Sequence, residues 1–169
     1  MSFLLALSLS TGICCGIWAF ISQIPALNLV TWLGFAGCTA YFASGKHGKE
    51  GVSTAFFSTM SGVLSAVVAV FISGLFPNFA SLGVIMTGII SCTMCLQSVF
   101  KKLWFIPGAF IGCFSSFAFI STGGNLFSSD IISLLLSLAL GSILALSCDK
   151  GGNFLFSKFG KEEPEKKEA

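Results

Sequence analysis

The hydrophobic positions of this chain fall into long uninterrupted blocks, with the polar positions gathered in short breaks between them. Apolar segments run from Ser2 to Ile24, Asn28 to Ser44, Val52 to Leu75, Phe79 to Val99, Trp104 to Ser121 and Ile131 to Cys148. No Lys, Arg, Asp or Glu occurs from Ser2 to Ile24 or from Gly51 to Phe100. A helix needs about 20 apolar residues to cross the hydrocarbon core of a bilayer. The pattern therefore predicts an all-α, polytopic membrane protein with six transmembrane helices, the second and fifth being the shortest.

The breaks alternate in charge. The segments "SGKHGKEG" and "FKKL" and the stretch after Cys148 hold all nine lysines, whereas "QIPALN", "LFPN" and "TGGNLFSSD" hold none. Cytoplasmic loops are the ones that carry excess Lys and Arg, so both termini, the 46–50 loop and Lys101–Lys102 are expected in the cytoplasm, with Pro25, Pro77 and Asp130 on the far side. Trp18 and Trp32 are expected at the outer interface and Trp104 and Tyr41 at the inner one, where aromatic belts form. The first block lacks the basic start of a secretory signal peptide and is expected to remain in the protein. Residues 1–157 form one six-helix domain, and 158–169 read as a disordered, charged cytoplasmic tail.

The blocks also echo one another. Phe-Ile-Ser occurs at Phe20, Phe71 and Phe119, each time at the far end of an odd-numbered block, and Gly12, Gly62 and Gly112 recur at equal spacing in the same three blocks. In the even blocks Gly34, Gly88 and Gly141 stand at nearly constant spacing. These echoes predict three tandem parallel helical hairpins, over about 2–44, 52–99 and 104–148, rather than inverted repeats.

Composition supports the membrane class: 54% of residues are hydrophobic and only 9% charged, against roughly 25% charged in soluble domains. A net charge of +2 gives no reason to expect a nucleic-acid partner. Seven cysteines, all within or at the ends of apolar blocks, do not form a disulfide framework. Cys92 and Cys95 have C-x-x-C spacing but lie inside a helix with no second pair, so no metal or cofactor is expected. The lone His47, flanked by lysines, reads as a solvent-exposed and idle loop residue, with a pH-sensing role as the alternative. The polar residues Gln23, Asn28, Asn78, Gln97 and Asn125 lie toward block ends, as caps and headgroup contacts do. No nucleophile–base pair or carboxylate pair can be assembled, so an enzyme is not expected.

What remains are stripes of small and hydroxylated residues at helical spacing. The third block carries Thr54, Ser58, Ser61, Gly62 and Ser65 on one face, the fifth Gly108, Gly112 and Ser115, and the sixth Ser133, Ser137 and Gly141. Close helix packing in lipid requires such residues, and a narrow polar path uses the same types. Gly12, Gly62, Gly112, Ser58, Ser61, Ser65, Ser115 and Ser137 are therefore candidates both for helix packing and for lining a path. Two functions fit: a facilitative channel or permease for a small neutral solute, built as a homo-oligomer in the bilayer, or a non-transporting scaffold that binds another membrane protein. Because the blocks hold no ionisable side chain beyond the thiols, transport would be uncoupled from ion gradients.

The segments "TGICCGIWAF", "WLGFAGCTAYFA" and "IPGAFIGCFSSFA" resemble the YcdZ-like family of small bacterial inner-membrane proteins, a domain-of-unknown-function family. The resemblance extends from Leu4 to about Cys148, and "GFAGCTAYFA" is its most specific part. It implies a multi-pass protein of the bacterial inner membrane and supplies no catalytic or binding residues. At the level of the helix plan alone, six helices with both ends inside also resembles the bacterial urea and amide channels.

Overall fold

The structure is a computed structural model that describes residues 1–79 and 81–160; most of the tail expected over 158–169 lies outside the described residues. Six α-helices account for most of the chain: α1 Phe3–Ile21, α2 Thr31–Ala43, α3 Gly48–Leu75, α4 Leu82–Leu96, α5 Ile106–Ser121 and α6 Asp130–Phe159. A 3₁₀ turn, Pro25–Leu27, precedes α2, and another, Gln97–Val99, extends α4.

The helix ends follow local chemistry. Ser2 caps α1 by accepting a hydrogen bond from the Leu5 N–H. Asn28 adopts a left-handed conformation (φ 47°) where the chain turns into α2, and Pro107 lies in the first turn of α5, where its missing N–H costs nothing. The tight connection between α2 and α3 needs positive φ at Gly45 and Gly48, a conformation open to glycine at no steric cost.

Among the described residues, four helices are long and apolar enough to cross a membrane: α1, α3, α4 with its 3₁₀ extension, and α6. α5 is a shorter apolar helix, and α2 has 13 residues, about 20 Å of rise. The two short helices are among the most buried. α2 contributes Leu33, Gly34, Gly37, Cys38, Ala40 and Tyr41 to the interior, and α5 contributes Gly108, Ala109, Ile111, Gly112, Cys113, Ser115, Ser116 and Phe119. α1 and α4 are peripheral and leave Leu4, Ile13, Phe20, Val84 and Leu96 on the outside, as suits lipid-facing helices.

The hairpins expected from the sequence are not the packing units. The closest approaches pair α2 with α6, α3 with α5 and α1 with α6, whereas α1 barely meets α2 and α5 barely meets α6. The glycines explain this. Where a helix lacks Cβ another backbone can come against it, and those open patches join helices from different expected hairpins. Nor are the three Phe-Ile-Ser segments equivalent: Phe119 is 7% exposed inside the core, whereas Phe20 and Phe71 are 73% and 55% exposed.

Two members of the expected aromatic belt are instead buried. Trp18 lies in the space left by the missing Cβ of Gly34, and its Nε1 donates to the Thr31 carbonyl at 3.0 Å. Tyr41 is fully buried. An indole N–H or phenol hydroxyl finds a partner when it is buried, and both side chains do so inside the protein.

Candidate functional site

The centre of the molecule is four helices, α2, α3, α5 and α6, held together by glycine. A Cβ on Gly62 would collide with the Ala109 carbonyl, and one on Gly112 with the Thr59 carbonyl, which fixes α3 against α5. A Cβ on Gly37 would collide with the Leu138 carbonyl, and one on Gly141 with the Gly34 carbonyl, which fixes α2 against α6. Gly12, by contrast, has nothing within 4 Å of where its Cβ would be. Gly62 and Gly112 thus act as packing positions, and Gly12, expected to be their equivalent, does not.

Hydroxyl groups line this core. Ser58, Thr59, Ser115, Ser116, Ser137 and Ser142 are all fully buried. A serine in a lipid-embedded helix usually satisfies its hydroxyl by donating to a carbonyl one turn earlier. Ser61 does so to the Ser58 carbonyl, Ser65 to that of Ser61 and Ser116 to that of Gly112. Ser61 and Ser65 are only partly buried and turn these bonds inward on their own helix. Ser137 has a different role: its Oγ accepts from the Val30 N–H at 2.9 Å, capping the irregular chain that enters α2.

Ser58 and Ser115 are the exceptions, for neither Oγ has a hydrogen-bond partner among the described residues. Ser58 lies against the start of α5, its Cβ 2.7 Å from where a Cβ on Gly108 would be. Burying a hydroxyl without a partner costs about 1–3 kcal/mol, and two such groups on the facing pair α3 and α5 set this part of the core apart from its well-satisfied surroundings.

One end of the core is fastened by a polar cluster that the sequence reading missed. Asp149, two-thirds of the way along α6, is only 5% exposed. Its Oδ2 accepts from the Tyr41 hydroxyl at 2.7 Å and lies 3.1 Å from His47 Nδ1, while its Oδ1 accepts from Asn153 Nδ2 at 3.1 Å. The Tyr41 oxygen in turn accepts from the Gly48 N–H at 2.8 Å. The cluster thereby ties α2, the start of α3 and α6 together. Two expectations are corrected here: the apolar bundle does contain a buried ionisable group, and His47 is not an idle loop residue, although its ring is largely exposed. The available signal was Tyr41 itself, the only tyrosine in the chain, set in an apolar block where its hydroxyl requires a partner.

The cysteines also cluster, without disulfides: all seven are free. Cys148 on α6 is surrounded by Thr11, Cys14 and Cys15 of α1 and Cys38 of α2. Cys92 and Cys95 face outward on α4. Among the described residues no group of three His, Cys, Asp or Glu side chains is arranged to hold a metal ion.

Apolar helices of membrane-spanning length, packed backbone to backbone through glycine around buried hydroxyls, define a multi-pass helical membrane protein. Comparison with known proteins places it further. Residues 8–153 match a family described as "Protein of unknown function (DUF1097)", and the chain belongs to that family. It is 37% identical over 161 residues to the inner membrane protein YcdZ of Escherichia coli (strain K12), covering 95% of this chain and 93% of that protein. It is 36% identical over 158 residues to the protein of the same name from Salmonella typhimurium, covering 94% and 92%. The uncharacterized protein YahC of Escherichia coli (strain K12) is 29% identical over 127 residues, covering 70% of this chain. No solved structure matches the chain.

Proposed function

We propose that the protein is a six-span permease of the bacterial inner membrane, with both termini in the cytoplasm, that lets a small neutral polar solute cross down its gradient through the four-helix core. The observation that carries this reading is the pair of fully buried, unpartnered hydroxyls of Ser58 and Ser115. A hydroxyl on a helix can satisfy itself on its own backbone, and most of the neighbouring serines do. Two that do not, on helices packed against each other, keep a hydrogen-bonding capacity that a polar solute could use. A neutral partner suits them, because the only buried charge among the described residues, Asp149, lies at the end of the core and already has three protein partners.

The location is supported by the names of the two relatives aligned over more than nine-tenths of their length, both inner membrane proteins. The orientation has support from geometry as well as lysine count. The Met1 amino group donates to the Phe159 carbonyl, so the start of α1 and the end of α6 lie at one end of the bundle. His47 reaches Asp149 toward that end, and Lys102 Nζ lies 5.3 Å from the centre of the Phe57 ring in the first half of α3. The lysine-bearing segments therefore gather on one side, the side that faces the cytoplasm by charge bias. A cysteine introduced at Asn78 or Asn125 is expected to react with an impermeant reagent in intact cells, and one at Lys46 is not; the reverse pattern would invert the topology.

The reading is tested with purified protein in liposomes and a panel of small uncharged solutes. Downhill flux of at least one of them above that of protein-free vesicles is expected, with the initial rate unchanged when an ionophore collapses the proton or sodium gradient. Accumulation against a concentration gradient that vanishes with the ionophore would contradict a facilitator.

A further inference from the structure

The two glycine-packed helix pairs are copies of each other. In α2 and α5 the residues Phe35, Gly37, Cys38, Phe42 and Ala43 correspond to Phe110, Gly112, Cys113, Phe117 and Ala118, at a constant separation of 75. In α3 and α6 the residues Thr54, Ser58, Gly62 and Ala66 correspond to Ser133, Ser137, Gly141 and Ala145, at a constant separation of 79. The contacts obey the same correspondence. Gly37 meets the Leu138 carbonyl and Gly112 meets that of Thr59; Gly141 meets the Gly34 carbonyl and Gly62 meets that of Ala109. Each partner maps onto its counterpart at the same separations.

The periphery agrees. Just as α1 lies along α6, α4 packs against α3. The cluster of Ala69, Met86, Ile90 and Cys113 maps onto Cys148, Thr11, Cys15 and Cys38. α3 also meets α6 and α2 meets α5, the two pairings that a two-fold rotation maps onto themselves. A repeat of three helices reverses direction in the membrane, and transporters use inverted repeats of this kind to open one path alternately to either side.

The polar cluster at one end has no counterpart in the other half. Tyr41, His47, Asp149 and Asn153 correspond to Ser116, Thr122, Val70 and Gly74, none of which is ionisable, and Ser116 bonds only to its own helix. Tyr41 also lies over Gly51, its ring 2.6 Å from where a Cβ on that residue would be, one turn before Thr54.

We propose that α1–α3 and α4–α6 are inverted repeats whose two ends open in alternation, and that the Tyr41–Asp149 latch, present at the cytoplasmic end alone, holds that end shut. The proposal rests on the orientation given above but on no particular solute. The test uses thiol labelling in a background whose seven cysteines have been replaced, with a single cysteine at Thr54→Cys or at its counterpart Ser133→Cys. Tyr41→Phe keeps the ring and removes the bond to Asp149. It is expected to raise the labelling rate at Thr54→Cys from the cytoplasmic side about tenfold, the shift that losing one charge-assisted hydrogen bond produces in a two-state equilibrium. Labelling at Ser133→Cys from the outside is expected not to rise. Asp149→Asn provides a second variant should the first fail to fold. A rise at both positions means general loosening and overturns the proposal, as does no change at Thr54→Cys. Because labelling is read without transport, a failed flux assay leaves this result intact.

Discussion

Replacing Gly62, Gly112, Gly37 or Gly141 by leucine is expected to abolish the folded protein, and the same change at Gly12 to leave it intact. At the first four positions the missing Cβ faces a backbone carbonyl of the partner helix. A backbone cannot swing aside as the end of a flexible side chain can, so any side chain must push the helices apart. Overpacking of this kind costs about 1–3 kcal/mol for a modest addition, and leucine adds far more than one methyl group. Gly12 meets nothing within 4 Å and lies mid-helix, so Gly12→Ala should stabilise α1 by about 1 kcal/mol through helix propensity. Thermal melts in mild detergent, followed by circular dichroism, would rank the alanine variants. The repeat relation adds a finer expectation: Gly37→Ala and Gly112→Ala should lose similar stability, as should Gly62→Ala and Gly141→Ala. Equal losses at Gly12, Gly62 and Gly112 would instead restore the three-hairpin arrangement.

The contrast between Gly12 and Gly62 also shows where sequence reading stops. Hydropathy marked out the helices because burial in lipid constrains every residue of a span, and the breaks at Pro25, Pro77 and Gly123 are backbone effects visible in the residue type. Ser58, Ser115 and Ser137 stood out because hydroxyls at helical spacing form one stripe, and all three proved to be fully buried. Which helix a glycine faces is another matter. The same residue serves an open lipid-facing position and a backbone contact, and spacing alone carries no information about the partner, so Gly12 was grouped with Gly62 and Gly112. Asp149 was missed for a different reason. The last apolar block ends at Cys148, but α6 continues to Phe159, and the helix carries the carboxylate inward to Tyr41 where the hydropathy pattern had placed solvent.

Tyr41→Phe is expected to produce the second large effect, a loss of about 1.5–3 kcal/mol, the usual cost of deleting a hydrogen bond to a charged group. The substitution removes a donor from a carboxylate that is 5% exposed and leaves the Gly48 N–H without its acceptor. Breaking one contact of a buried charge while the charge remains costs more than the contact alone was worth. His47→Ala should cost less, under about 1 kcal/mol, because the histidine side chain is 73% exposed and exposed ion pairs contribute little. Asp149→Leu should be the most harmful change in the cluster, since it strands the Tyr41 hydroxyl and places a larger apolar group in a polar site. Melting temperatures for the three variants give the order directly. A His47→Ala loss as large as that of Tyr41→Phe would mean that the loop histidine, rather than the tyrosine, holds this end together.

The most direct measurement of the proposed path is chemical block at Ser58. A variant whose seven native cysteines are replaced and which carries Ser58→Cys would be reconstituted in liposomes, and the flux of a solute shown to cross through the wild-type protein would be recorded before and after reaction with a small methanethiosulfonate reagent. If the path through the core passes Ser58, flux is expected to fall to that of protein-free vesicles once the thiol is modified, to return on reduction, and to be unaffected by the reagent when the cysteine is at the outward-facing Leu64. Full modification at Ser58→Cys with undiminished flux would contradict a path through the core.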